Sequence, residues 1–283
     1  MRKYCLSLLL LFLTLVSNAV EPPKREIRGV WLTTVYGLDW PHNPATTETG
    51  RKAQQRDVCD ILDRLQDANF NTVFLQVRMR GDVIWRSAIE PASKTFSGKY
   101  GMMPGYDPLA FVVDECHKRG MECHAWFVTF PLGTDKSVKE QGKLSVVRRQ
   151  PKLCKRHNGE WYLDPGVPGT SDYVLSLVKE LVNGYDIDGI HFDYIRYPEQ
   201  AKYFPDKNLY NKYGKKRPLA EWRRENINKM VYRIYDWVKS VKPWIQVSSS
   251  PLGKYNRIER VPNAGWTAYE SVFQDPKMWM QNG

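Results

Sequence analysis

Three observations predict an α/β fold built on a parallel sheet. Short apolar runs rich in β-formers alternate with helical runs in βαβα order. The segment after the first such run reads Tyr-Gly-Leu-Asp-Trp-Pro and lacks the glycine-rich fingerprint of a dinucleotide-binding sheet. The long connections after the first four runs carry many Trp, Tyr, Arg and Asp residues, as loops at the carboxyl ends of barrel strands do. An open doubly wound sheet fits the order too, but the loops favour a (β/α)8 TIM barrel.

Each element follows from pattern. Residues 27–35 read as the first strand. Residues 51–68 read as an amphipathic helix, with Val58, Ile61, Leu62 and Leu65 on one face. A second strand covers 71–77, a helix 107–119 and a third strand 121–127. After a long loop come a helix at 171–183, a fourth strand at 187–192, a helix at 221–240 and a fifth strand at 245–249. Beyond Ser250 only 33 residues remain, from 251 to 283. A βα unit takes about 30 residues, so the expected barrel is truncated after about five units. The natural protein is expected to continue past Gly283, and the 283-residue chain alone to aggregate or lack activity.

Residues 1–19 are set aside as a cleaved export signal. Arg2 and Lys3 form a charged start, residues 6–16 an apolar stretch and Ser17-Asn18-Ala19 a small-residue cleavage site. The apolar stretch is shorter than the roughly 18 residues of a spanning helix, so no stable membrane anchor is expected. The expected location is exported, periplasmic or secreted from a bacterium. Residues 20–283 then form one barrel domain. Losing Arg2 and Lys3 takes the net charge from +11 to +9, which points to an acidic partner. Lys215-Lys216-Arg217 is too short a basic run to signal nucleic acid. Cys59, Cys116, Cys123 and Cys154 fall mostly on core positions, without the paired spacing of a zinc site. No metal and no cofactor are expected.

The stretch DGIHFDYIRYP, residues 188–198, carries the chemistry. Alternation along a strand puts His191 and Asp193 on one face and Ile190 and Phe192 on the other. In a barrel, Asp193 would point into the mouth, with Tyr194 and Arg196 following on the loop. A turn cap or a pair with Arg196 is the structural alternative for Asp193, and a core role that for His191. Gln76 and Arg78 share a face at the end of the second strand, which would bring Arg78 to the same rim. Arg80 and Asp82 read as a surface ion pair. His124 and Trp126 share a face on the third strand, Trp126 either stacking on a sugar ring or filling the core. Asp164, in the turn Trp161-Tyr162-Leu163-Asp164-Pro165-Gly166, either caps locally or reaches a ligand hydroxyl. Aromatic residues are 13% of the chain, with 10 Trp, a composition suited to the C–H faces of sugars. Glycoside hydrolysis uses two carboxyls. Asp193 is the first candidate; the fifth strand ends without a carboxylate, and Glu270 and Asp275 come later in the chain.

These motifs occur together in one family. EIRGVWLT at 26–33, QVR at 76–78, PGYDPL at 104–109, HAW at 124–126, LDPG at 163–166 and DGIHFDY at 188–194 resemble the glycosyl hydrolase-like family ten over residues 26–283. The resemblance implies a (β/α)8 barrel and an exported enzyme acting on glycans. It also implies, by analogy with some relatives, peptidoglycan strands stripped of their peptides, whose lactyl carboxylates match the basic balance. It implies a barrel continuing past Gln274-Asp275. A chitinase is not expected, because His191 and Ile195 stand where its fourth-strand motif needs acids. The expected function is a glycoside hydrolase acting on a bacterial cell-wall or other acidic polysaccharide. Asp193 serves as nucleophile or base, and Arg78, His124, Trp126, Asp164, His191, Tyr194 and Arg196 contact substrate. The alternative is a non-catalytic glycan-binding protein on a degenerate barrel.

Overall fold

A computed structural model describes residues 26–261 and 265–282. In chain order the main elements are β1 (Gly29–Leu32), α1 (Glu48–Asp67), β2 (Thr72–Arg78), α2 (Pro108–Lys118) and β3 (Glu122–Val128). Three short strands follow, β4 (Pro131–Thr134), β5 (Cys154–His157) and β6 (Glu160–Leu163). Then come α3 (Thr170–Gly184), β7 (Gly189–Asp193), α4 (Leu219–Val241), β8 (Gln246–Ser249) and α5 (Pro276–Gln281). The export signal expected over residues 1–19 lies outside the described residues. Among those residues no helix is long and apolar enough to cross a membrane.

The five expected strands pair in parallel, in the order β1-β2-β3-β7-β8, and the sheet does not close among the described residues. That order is the neighbour-to-neighbour winding of a barrel, with each long helix returning the chain to the next strand. One face carries Val73, Leu75 and Val77 of β2, Cys123, Ala125 and Phe127 of β3, and Ile190 and Phe192 of β7. These pack with Val58 and Leu62 of α1, Val112 and Cys116 of α2, Val174 and Val178 of α3, and Ile234 and Val238 of α4 in one core. The helices begin where their sequences provide caps. The Thr47 hydroxyl accepts from the Gly50 N–H ahead of α1, and the Asp107 carboxylate accepts from the Ala110 N–H ahead of α2.

The opposite face carries Trp31, Phe74, His124 and His191, whose rings pack on one another. Trp31 stacks on Phe74 at 4.5 Å between centroids, and Phe74 meets His124 at 5.0 Å and His191 at 4.8 Å. Gly189 is required by this layer, since a Cβ there would lie 2.4 Å from Nδ1 of His124. The glycine of the DGIHFD motif therefore makes room for a ring on the neighbouring strand.

Two features depart from the sequence reading. The first strand holds four residues rather than nine, because the chain turns at Val35–Gly37 with Tyr36 at φ 56°. The stretch after β3 is not a plain loop. It folds into a three-stranded antiparallel sheet, β4-β6-β5, above the carboxyl end of the main sheet. Leu163 ties this sheet down by donating to the carbonyl of Phe130, just past β3, at 2.9 Å.

Candidate active site

The carboxyl ends of β1, β2, β3 and β7 bring together two tiers of polar side chains. The lower tier lies at the strand ends. Asp193, last residue of β7, accepts from the Trp126 indole N–H at 3.1 Å on one carboxylate oxygen and from the Tyr194 backbone N–H at 2.7 Å on the other. Its carbonyl accepts from Thr129 twice, from the backbone N–H at 2.8 Å and from the hydroxyl at 3.0 Å. The alternative pairing with Arg196 is not made, because Arg196 turns to Glu199 at 2.9 Å. Asp193 is thus an oriented, partly exposed carboxylate set by donors from two strands.

Beneath it, His191 is buried and its Nδ1 lies 2.9 Å from the Ser248 hydroxyl on β8. Burial, assisted by the neighbouring His124, lowers His191 to about 4, so its ring is neutral at ordinary pH. Its Nε2 is buried without a partner.

The upper tier is a rim built from loops. Gln76 shapes one side, its side-chain oxygen accepting from the Thr33 hydroxyl and from the Thr34 and Val35 N–H groups at 2.7, 3.0 and 2.9 Å. These bonds set the turn that presents Tyr36, exposed and with Arg80 over its ring at 5.7 Å. On the other side Tyr194, at φ 48° and 41% exposed, lies against Arg196 at 4.6 Å. A positive φ on a bulky aromatic side chain is strained, and here two such tyrosines follow two strand ends. The small sheet joins the two sides. Glu160 lies 3.7 Å from Arg80 and accepts from the Tyr162 hydroxyl at 2.9 Å. Burial, then the Glu160 and Glu199 carboxylates, pushes the Tyr162 hydroxyl well above its ordinary value.

Several expected site residues lie elsewhere. Arg78 is not on the rim: it is wholly buried and forked onto Glu90 at 2.7 Å, because Glu90 is folded back beneath it by the loop after β2. His124 is also buried, one tier lower, with Nε2 at 3.0 Å from Glu122. Trp126 is half-buried, with its N–H committed to Asp193. Asp164 is buried and caps its own turn, accepting from Gly166 N–H at 2.9 Å. Burial raises its carboxyl to about 7. Arg196 is 8% exposed beneath Tyr194, leaving Tyr194 the most open of the expected contact residues. Arg80 and Asp82 form no surface pair, since Asp82 is buried and accepts from the Arg80 N–H at 3.3 Å. Glu270 and Asp275 serve local bonds to Arg257 N–H and the Tyr255 hydroxyl. The reading from sequence missed Tyr36, Glu160, Tyr162 and Glu199. Three of these sit in segments without periodicity, and Tyr36 follows directly on the run read as the first strand.

A cavity lined by Phe192, Ile195, Val231, Tyr235, Val247 and Trp279 opens on the helix side of the sheet. Ser248 and Ser249 line it as well, so it lies at the open edge of the sheet beside β8. Among the described residues no three His, Cys, Asp or Glu side chains gather as a metal site. Among the described residues, Cys59, Cys116, Cys123 and Cys154 are free thiols.

Comparison with known proteins bears on the family and the fold. The chain is 35% identical over 282 residues to the glycosyl hydrolase DigH of Escherichia coli, covering 93% of this chain and 64% of that protein. It is 33% identical over 271 residues to the glycosyl hydrolase YngK of Bacillus subtilis, covering 92% of this chain and 52% of that protein. The chain therefore spans less than two thirds of these relatives' length. Among solved structures, an α-L-fucosidase from Paenibacillus thiaminolyticus superposes with a TM-score of 0.55 at 18% identity, over 82% of this chain and 33% of the fucosidase. A hypothetical protein from Ruminiclostridium thermocellum superposes at 0.50 and 18% identity, over 78% of this chain and 96% of its own. These two likenesses concern fold alone. A family model described as glycosyl hydrolase-like 10 matches residues 26–283, and the chain belongs to that family.

Proposed function

We propose that this protein is a glycoside hydrolase acting on an acidic polysaccharide of the bacterial cell envelope, with Asp193 as nucleophile or general base. The observation that carries this reading is the Asp193 carboxylate, held by Trp126 and Tyr194 N–H groups at a strand end below a rim of tyrosines and arginines. Sugar rings would lie on the free faces of Tyr36 and Tyr194. The exposed part of Arg80 and the net charge of +9 left without Arg2 and Lys3 support a substrate bearing carboxylates. Export to the periplasm or beyond is part of the proposal and rests on the pattern of residues 1–19. On the rim, Glu160 and Glu199 stand nearest in role to a second carboxyl, though each is engaged by an arginine.

The test is release of reducing ends from peptide-free peptidoglycan strands, set beside a neutral glycan such as chitin oligosaccharide. Turnover of the acidic glycan, weaker turnover of the neutral one and loss of both in Asp193→Asn are the expected results. Tight glycan binding with no turnover by the unaltered protein would replace the enzyme reading with that of a glycan-binding protein.

A further inference from the structure

Arg78 and Glu90 form an ion pair from which solvent is excluded. Both side chains are wholly buried, and the guanidinium fork meets the carboxylate through two bonds, each 2.7 Å. Burying two charges costs free energy that their attraction only partly returns, and packed apolar side chains of similar volume are often as stable. Such a pair needs another account of what it specifies.

The remaining bonds supply one. Nη1 of Arg78 donates to the carbonyls of Val128 and Thr129, at and just past the end of β3. Thr129 in turn donates twice to the carbonyl of Asp193. On the far side, the Tyr173 hydroxyl on α3 donates to Glu90 at 2.9 Å. A continuous chain of bonds thus runs from α3 through Glu90 and Arg78 to the end of β3, and on to Asp193. Trp126, which holds the Asp193 carboxylate, belongs to that same strand end.

We infer that Arg78 and Glu90 are positioning residues for Asp193. They set where the end of β3 lies, and through Thr129 and Trp126 they set the Asp193 carboxylate. The inference rests on the reading of Asp193 as the reacting carboxylate. Lysine is no substitute for Arg78, since an ammonium is a single point and cannot fork onto Glu90 while also reaching two carbonyls.

The experiment uses protein labelled with ¹⁵N-tryptophan. The Trp126 indole N–H reports directly on its bond to Asp193, and its resonance is identified by its loss in Trp126→Phe. The Trp279 indole, bonded to Asn228 at 2.7 Å, is the control. Two variants are compared: Arg78→Lys, which keeps the charge, and Arg78→Met with Glu90→Leu, which removes both charges and leaves neither unpaired. In both, the Trp126 resonance should move while that of Trp279 stays. Reducing-end release should fall at least about tenfold in kcat with KM within about twofold, the split expected when a transition-state contact is disturbed without loss of ground-state binding. A folded double variant with an unmoved Trp126 resonance, or with an undiminished kcat, overturns the inference. If the resonance moves but the unaltered protein cleaves no glycan, the positioning role stands and the glycosidase reading falls.

Discussion

Arg78 and Arg80 stand two residues apart and belong to different tiers. Arg78 is buried, with its guanidinium committed to one carboxylate and two carbonyls. Arg80 is partly open, resting over Tyr36 and 3.7 Å from Glu160. The same contrast separates the tiers as wholes. At the strand ends the site's main polar groups are tied between neighbouring strands, so Asp193 is held by the sheet itself. On the rim the side chains come from loops and a small added sheet, and their pairs are partly exposed. A reacting carboxylate must be fixed before substrate arrives, whereas a surface that receives a varied polymer tolerates freedom. Under the proposed function, the difference divides chemistry from recognition by depth in this molecule.

If that division is right, damage to the two tiers should have different kinetic signatures. Trp126→Phe keeps an aromatic ring but removes one donor from Asp193. Turnover should drop roughly ten- to a hundredfold, corresponding to about 1–3 kcal/mol for an unmet polar group, with KM little changed. Tyr194→Ala strikes the rim, so KM for oligosaccharides should rise roughly fivefold to tenfold, in line with about 1 kcal/mol of lost stacking, with kcat nearly kept. Tyr194→Gly would also release the positive φ, so its melting temperature should equal or exceed that of the alanine variant. A kcat loss in Tyr194→Ala as large as that in Trp126→Phe would erase the distinction between tiers.

Salt sharpens the contrast further. Exposed charges are screened within about 8 Å at physiological ionic strength, so glycan affinity should weaken as salt rises. Arg80→Ala should flatten that dependence, by a few-fold in affinity at low salt; an unchanged slope would move the acidic contact away from the rim. The smallest effect on activity is expected at Asp164. Burial raises this carboxyl to about 7, so the folded protein keeps a proton that the unfolded chain releases above about 4. The folded state then binds more protons than the unfolded state between those values, and stability declines as pH rises through the window. His191 acts in the opposite sense between about 4 and 6.5, where its lowered value costs stability as pH falls. Comparing Asp164→Asn with the unaltered protein at each pH cancels the His191 contribution. The variant's relative melting temperature should climb by several degrees from pH 4 to pH 7.5, and a constant gap would mean Asp164 is ionised throughout.

The main sheet and its helices were legible in the sequence because period and caps write them directly. Val58 and Leu62 mark the buried face of α1, and Asp107 with Pro108 marks the start of α2. The small sheet was not legible, since four-residue strands such as Cys154–His157 carry no periodic signal. The face of Asp193 was legible because strand alternation fixes it. Arg78 was misplaced for a related reason: alternation gives the face of a side chain but not its depth. Its partner Glu90 reaches it through a loop whose path no local pattern describes. Tyr36 was hidden by its left-handed backbone, which depends on Gln76 some forty positions away.

The central claim is that Asp193 does the chemistry while the rim binds the chain. Calorimetric binding and reducing-end release, measured on one peptide-free glycan with Asp193→Asn, address it most directly. The expected result is an affinity within about threefold of the unaltered protein, a melting temperature within a few degrees and turnover lower by roughly a hundredfold or more. Turnover retained, or affinity and turnover lost together in a folded variant, would contradict it.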